Sequence, residues 1–261
     1  MARRTLSLRG AVRARDMRAG IAALAAGDPD FASVVLLLDF AGADEAQDIT
    51  DLSSSAKTET FVGLDTKVDT TLQYLGVNSL EVAGTSYVTY ADHADWDLPG
   101  DFTIECGLRW PAANSSRAVI STYTASDGWA LQPVNKTEIN FIAMGSEQKS
   151  EAVTIAGVTW YHVAIVRSSG SLYLFLDGVQ KGTPTAYATS ITGTETLKLG
   201  LLATPNTQMW TGGYIGAVRI TKGVARYTAN FTPPSAFYPT RRNVRWREYK
   251  RSLKKKPPLN C

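Results

Sequence analysis

Phe102-Thr103-Ile104-Glu105-Cys106-Gly107-Leu108-Arg109-Trp110 alternates apolar residues with polar or small ones at every step. A period of two is the pattern of a strand with one face in a core and the other turned away. Phe102, Ile104, Cys106, Leu108 and Trp110 make the inner face, and Thr103, Glu105, Gly107 and Arg109 the outer one. On this reading Cys106 is a small core side chain rather than a nucleophile. Glu105 stands alone on its strand, with no second carboxylate beside it.

The same punctuation extends in both directions. Residues 160–167, Ser168-Ser169-Gly170 and 171–176 read as strand, turn and strand, the clearest hairpin in the chain. His162 lies inside the first of these runs and reads as a satisfied sheet residue. Asp177-Gly178 turns the chain again. Val34-Val35-Leu36-Leu37-Leu38 is a continuous apolar run, as in a buried strand. Further strands are expected at 60–62, 72–75, 79–82, 87–90, 118–123, 129–132, 139–143, 197–201 and 214–221. About a dozen short strands with no long helix among them point to an all-β sandwich or barrel.

The termini differ in kind. Residues 8–27 are rich in Arg and Ala and read as a helix stopped by Asp28-Pro29. After Pro233-Pro234 the strand pattern ends, and the chain closes on Arg- and Lys-rich sequence with one helical stretch near 244–253. The expected organisation is a basic N-terminal arm with a short helix at 1–30, a sandwich at 31–239 and an extended basic tail at 240–261.

The 261 residues hold 27 Lys+Arg and 24 Asp+Glu, a formal charge of +3, and this near-neutral total hides a division. Residues 1–20 carry six arginines, Arg3, Arg4, Arg9 and Arg13 among them, against Asp16, leaving +5. Residues 240–261 carry nine basic residues, including Arg241, Arg242, Arg245, Arg247, Lys254, Lys255 and Lys256, against Glu248, leaving +8. The stretch 21–239 holds 12 basic and 22 acidic residues and stands at −10. An acidic body between two basic arms disfavours nucleic acid as a partner, since the body repels a polyanion and no reading module accompanies the tail. The arms fit docking onto acidic surfaces of neighbouring subunits better. The longest apolar run is far short of the roughly 18 residues of a membrane helix, so no membrane partner is expected.

Several stretches resemble the laminin-G-like branch of the concanavalin A-like lectin/glucanase superfamily. They are Gly100-Asp101-Phe102-Thr103-Ile104-Glu105, Trp160-Tyr161-His162-Val163-Ala164-Ile165-Val166-Arg167 and Leu172-Tyr173-Leu174-Phe175-Leu176-Asp177-Gly178. The most telling is Gly213-Tyr214-Ile215-Gly216-Ala217-Val218-Arg219-Ile220-Thr221-Lys222-Gly223-Val224-Ala225-Arg226-Tyr227, followed by Asn230-Phe231-Thr232-Pro233-Pro234. That closing phrase, like the opening Asp28-Pro29-Asp30-Phe31-Ala32-Ser33-Val34-Val35-Leu36-Leu37-Leu38, is similar to virion proteins of tailed bacteriophages. The resemblance covers about residues 30–238 and implies a two-sheet antiparallel jelly roll. It also implies a place on the outer surface of a phage particle, as a head decoration or a tail fibre or baseplate component. Other virion proteins and further copies of the chain are the partners so implied. One departure stands out: the family pattern has an acidic pair after Gly-Tyr-Ile, and here Gly216 and Ala217 take its place.

Fold does not settle function, so each chemistry is tested on residues. Retaining glycosidases of this architecture set two carboxylates on alternate positions of one strand, about 5 Å apart. No such acidic triplet occurs, and neither a Gly-x-Ser-x-Gly elbow nor a phosphate-binding glycine loop is present. No enzyme is expected. Glycan hydrolysis is the least favoured alternative, after a carbohydrate-binding adhesin. No cofactor is required. Calcium is the one metal to consider: Asp92, Asp95, Asp97 and Asp101 fall within ten positions and could supply oxygen ligands, the plainer alternative being a solvated acidic loop. A host-surface glycan would pack on an aromatic ring with polar neighbours. Trp210, in a polar approach to the last strand, is the first candidate for that ring, with Tyr173 and Trp129 after it.

Overall fold

A computed structural model describes residues 27–111, 118–202 and 212–240. The expected N-terminal helix, the arm residues Arg3, Arg4, Arg9 and Arg13, and the tail residues Arg241, Arg242, Arg245, Arg247, Lys254, Lys255 and Lys256 lie outside the described residues. So do Trp210 and the helical stretch near 244–253.

Ala32–Tyr238 forms one compact unit. Its strands are β1 (Val34–Leu38), β2 (Glu59–Val62), β3 (Lys67–Tyr74), β4 (Val77–Val82) and β5 (Tyr87–Tyr90). A short 3-10 turn at Ala94–Trp96 leads to β6 (Phe102–Arg109), β7 (Ile120–Ser121), β8 (Trp129–Val134), β9 (Glu138–Ala143) and β10 (Ser146–Ala152). The series ends with β11 (Trp160–Ser168), β12 (Ser171–Leu176), β13 (Val179–Ala186), β14 (Leu197–Leu199) and β15 (Gly213–Lys222).

These strands make two antiparallel sheets. An eight-stranded sheet runs β13-β12-β11-β6-β15-β4-β3, with β1 also on β15, and a seven-stranded sheet runs β10-β9-β8-β7-β14-β5-β2. The expected jelly-roll sandwich is therefore the observed fold. Ile104, Cys106, Leu108, Ile165, Leu174 and Ile220 of the first sheet meet Trp129, Leu131, Phe141, Leu197 and Leu199 of the second in one continuous core. Each fully buried side chain of this size contributes on the order of 1.5–3 kcal/mol.

Two strands, β10 and β13, are absent from the sequence reading, and the reason is physical. Ser146–Ala152 and Val179–Ala186 are the outermost strands of their sheets. β13 is largely exposed, and β10 is exposed at Ser146, Glu147 and Ala152. Strands at an edge need little apolar alternation and carry polar or charged residues that discourage further pairing.

β15 is flanked on one side by β6 and on the other by β4 and then β1. The register slips between Gly216 and Arg219, with Ala217 at φ 44°. One extra residue there lets a single strand serve two neighbours along its length. Gly216 lies opposite Gly107 on β6. A Cβ on Gly107 would meet the Tyr74 ring at 2.3 Å, and one on Gly216 would meet Tyr74 Cβ at 2.6 Å. The paired glycines thus make the trough in which Tyr74 lies, tilted against Trp160 with ring centroids 5.1 Å apart. Packing accounts for Gly216, and Ala217 takes the bulge conformation, where the family pattern has its acidic pair.

Candidate functional site

The segment after β15 has no strand of its own, yet it covers the outer face of the eight-stranded sheet. Ala225, Tyr227 and Phe231 pack on Ala164, Val166 and Phe175. Tyr227 and Phe231 stack with centroids 3.6 Å apart. Phe231 N–H donates to the Gly178 carbonyl at 2.9 Å, and Asn230 Oδ1 accepts from Gln180 N–H at 2.8 Å. Gly178 is required at that contact: its φ is 73°, and a Cβ would lie 2.0 Å from the Phe231 carbonyl oxygen. Tyr238 is buried as well, so the sandwich's packing extends well past Pro233-Pro234, where the strand pattern ends.

Beneath this cover lies a buried ionic cluster. β6 runs between β11 and β15, and in register Glu105 faces Ala164 on one side and Arg219 on the other. Arg219 Nε donates to Glu105 Oε1 at 2.8 Å, and its Nη2 lies 2.7 Å from the same oxygen. Glu105 Oε2 is 3.1 Å from His162 Nε2 and accepts from Tyr227 O–H at 3.0 Å. The Arg219 guanidinium sits 4.0 Å from the centre of the Tyr238 ring. Burial alone would raise the Glu105 pKa, but the charge of Arg219 and the His162 contact overcome it and hold the carboxyl at about 2. The Arg219 pKa is raised by the same pairing against its own burial. Burial pushes the Tyr227 hydroxyl up, assisted by the nearby carboxylate.

Glu105 is the lone carboxylate of its strand, as the pattern reads, but it has partners on other strands. Its partners come from strands 57 and 114 positions away, which is why no local pattern reveals them. Glu105 is 0% exposed and His162 1%, so no substrate reaches either. Cys106, on the opposite face of the same strand, is a buried core thiol whose pKa is pushed up by burial, as expected of a packing residue.

The four aspartates expected to line a cation site are not brought together. Asp92 is exposed. Asp95 Oδ2 pairs with Lys57 Nζ at 2.6 Å and accepts from Ser55 Oγ at 3.0 Å. Asp97 Oδ1 accepts from Gly193 N–H at 3.0 Å, and Asp101 Oδ1 from Ser169 N–H at 2.9 Å. No group of three or more His, Cys, Asp or Glu able to hold a metal exists among the described residues. Those four residues thus do not fit a calcium ion, because three of them are spent on separate structural contacts. The cation that organises the loop is Arg167. Its Nε donates to the Gly100 carbonyl at 2.7 Å and its Nη1 to the Thr189 carbonyl at 2.6 Å, while Nη2 reaches the Leu98 and Gly100 carbonyls.

The aromatic candidates also separate. Trp129 is 0% exposed, and its indole N–H donates to the Trp96 carbonyl at 2.9 Å, so this ring is core and offers no face to a sugar. Tyr173 is half-buried on the covered sheet, its ring parallel to that of Phe175 at 6.4 Å. The outer face of the seven-stranded sheet, which no single-strand pattern singled out, carries half-buried Tyr87, Gln132 and Glu138, with Lys198 Nζ 5.9 Å from the Tyr87 ring centre. Asn140 Nδ2 donates to Glu147 Oε2 at 2.5 Å and Ser150 Oγ to Asn140 Oδ1 at 3.0 Å. These groups lie on β9 and β10, across the sheet from Tyr87 on β5, so Lys198 is the polar group beside that ring, an arrangement that suits hydroxyl-rich ligands.

No curated protein matches the chain. Solved structures with a similar fold include botulinum neurotoxin type C, whose uptake by cells is described as dependent upon interaction with two ganglioside molecules (14% identity, TM-score 0.54). The binding domain of Paraclostridial Mosquitocidal Protein 1 (13%, 0.56) and that of botulinum neurotoxin serotype D/C (16%, 0.55) are similar as well. Each match covers 74% of this chain and about half of the other, 49% for the first two and 50% for the third. At these identities the likeness is one of fold. Residues 82–226, more than half of the chain, match the family model of the Concanavalin A-like lectin/glucanases superfamily, and the chain belongs to that superfamily.

Proposed function

We propose that the protein is a non-enzymatic structural protein on the outer surface of a tailed-phage particle, displaying a lectin-like module and anchored by its two basic termini. The observation that carries the non-enzymatic part is the sealing of Glu105, His162 and Arg219 beneath 224–238. The carboxylate best placed beside a histidine and an arginine is built into the packing, where it stabilises the sheet. The phage setting is supported by the phrases at 28–38 and 213–234. A glycan is the ligand class that suits the outer face of the seven-stranded sheet, and the ganglioside-dependent neurotoxin shows this architecture in a protein that meets glycolipid. The mechanism is non-covalent throughout.

Three measurements test this reading. The protein should be found in purified particles at a fixed copy number, and its absence from them overturns the virion role. On a glycan array, binding that is lost in Tyr87→Ala or Trp210→Ala makes recognition the main role and the chain an adhesin. Turnover of any polysaccharide overturns the non-enzymatic part.

A further inference from the structure

The charge of the body is not spread evenly over it. Residues 39–101 hold 13 carboxylates against Lys57 and Lys67, a net −11, while residues 102–239 hold seven against ten basic residues, a net +3. The fold sets four of the carboxylates of the first stretch along one edge. β3 is the last strand of the eight-stranded sheet, and the loop before β2 closes its free side: Glu45 N–H donates to the Val68 carbonyl and Val68 N–H to that of Ala46. Gln47 Nε2 then ties this loop to the β2–β3 turn through the carbonyls of Gly63 and Thr66, each at 2.9 Å. Asp44, Glu45, Asp48 and Asp65 are all exposed on this edge, where Lys67 pairs with Glu45. Between them stands Leu64, 85% exposed, next to Val62 at 36%. An apolar residue this exposed inside an acidic rim has the make-up of a contact surface, with an apolar centre and a charged border.

The complementary segment is in the same chain. Residues 241–256 carry nine Lys and Arg against Glu248, with Trp246, Tyr249 and Leu253 set among them. Aromatic and Arg residues are the side chains that anchor interfaces. We infer that the acidic edge formed by the 41–48 loop, β3 and the β2–β3 turn is the docking surface for the basic C-terminal segment of a second copy of this chain. Leu64 takes the apolar part of that segment, and Glu45, Asp48 and Asp65 its cations. The contact joins unlike surfaces, so it can propagate from copy to copy or close a ring. The inference rests on the anchoring role given above to the termini and names the surface on which the C-terminal one acts.

The 261-residue chain should self-associate in sedimentation velocity at low ionic strength, and association should weaken at least ~10-fold as salt screens the contact. Two variants of this chain separate the partners: one with Glu45→Lys and Asp48→Lys, the other with Arg241→Glu, Arg242→Glu, Arg245→Glu and Arg247→Glu. Each alone should be monomeric with an unchanged melting transition, and a mixture of the two should associate again, because the reversed edge of one now fits the reversed tail of the other. Monomers at every concentration, as when a tail folds back on its own edge, overturn the inference. So does association that survives the edge variant. A chain that fails to associate in solution but still enters particles overturns the edge contact and leaves the anchoring role standing.

Discussion

Arg219 on β15 meets a carboxylate, whereas Arg167 on β11 meets backbone carbonyls. Both are almost fully covered, at 5% and 2% exposure. In the first region, under segment 224–238, charge is matched by charge and the Arg219 pKa rises despite burial. In the second, at the turn of residues 92–101, burial lowers the Arg167 pKa. A buried guanidinium can thus be held in two ways, and the two have different consequences. Carboxylate pairing ties three strands and the covering segment together. Carbonyl pairing ties loops, joining 98–100 to 189, and gives the acidic turn an internal cation.

Removing one partner from the charged cluster should have the largest effect. Glu105→Ala leaves Arg219 buried without its counter-charge and should cost about 3–5 kcal/mol in chemical denaturation. Replacing Glu105 and Arg219 together with Leu and Met should cost clearly less, because no unpaired charge then remains. If the double variant is as unstable as the single one, packing rather than charge explains the loss.

Arg167→Met should come next, at about 1–3 kcal/mol, since carbonyls rather than a charge are left without a donor. Hydrogen exchange should show loosening confined to 92–101 and 187–193. Loosening of the sheet beneath 224–238 would show that the two regions are not separate.

Acid should distinguish the regions without mutation. The Glu105 pKa is depressed in the folded protein to about 2, so its stabilisation is complete above the ordinary carboxylate range and lost as pH falls toward 2. The covering segment should loosen in that window, between about pH 4.5 and 2, while the Arg167 carbonyl contacts do not titrate there. The melting temperature of Glu105→Gln should vary less with pH over the same window than that of the parent.

Tyr227→Phe should have the smallest effect, about 1 kcal/mol. It removes the hydrogen bond to Glu105, which keeps Arg219 and His162, and the long 3.4 Å contact accepted from Arg219 Nη2. A loss as large as that of Glu105→Ala would make the tyrosine, not the arginine, the keystone of the cluster.

Most of the sheet architecture is legible along the chain. Val34–Leu38, Tyr87–Tyr90 and Ser171–Leu176 fall where their apolar patterns put them, because burial on one or both faces dictates side chains residue by residue. The site is much less legible. Trp129 reads as a ring with polar neighbours, yet its side chain is core, since an aromatic residue in a strand looks the same whether it faces in or out. The four aspartates between β5 and β6 read as one cluster because they are near in sequence, yet three of them turn to separate partners at Lys57, Gly193 and Ser169.

Period-two alternation, turn residues and the charge of each segment are properties of neighbouring positions. They suffice for the all-β class, for the inward placement of Cys106 and for the acidic body between basic ends. Which strands flank β6, and so whether Glu105 has partners, depends on sheet order, and sheet order comes from the way the whole sandwich closes. The same closure brings Asp44, Glu45, Asp48 and Asp65 onto one exposed edge and buries Glu105 beneath its own chain. Hydrogen-bonded strands lie about 5 Å apart in space whatever their separation in sequence. Tertiary structure alone therefore decides which charges pair with each other and which are left to face a partner.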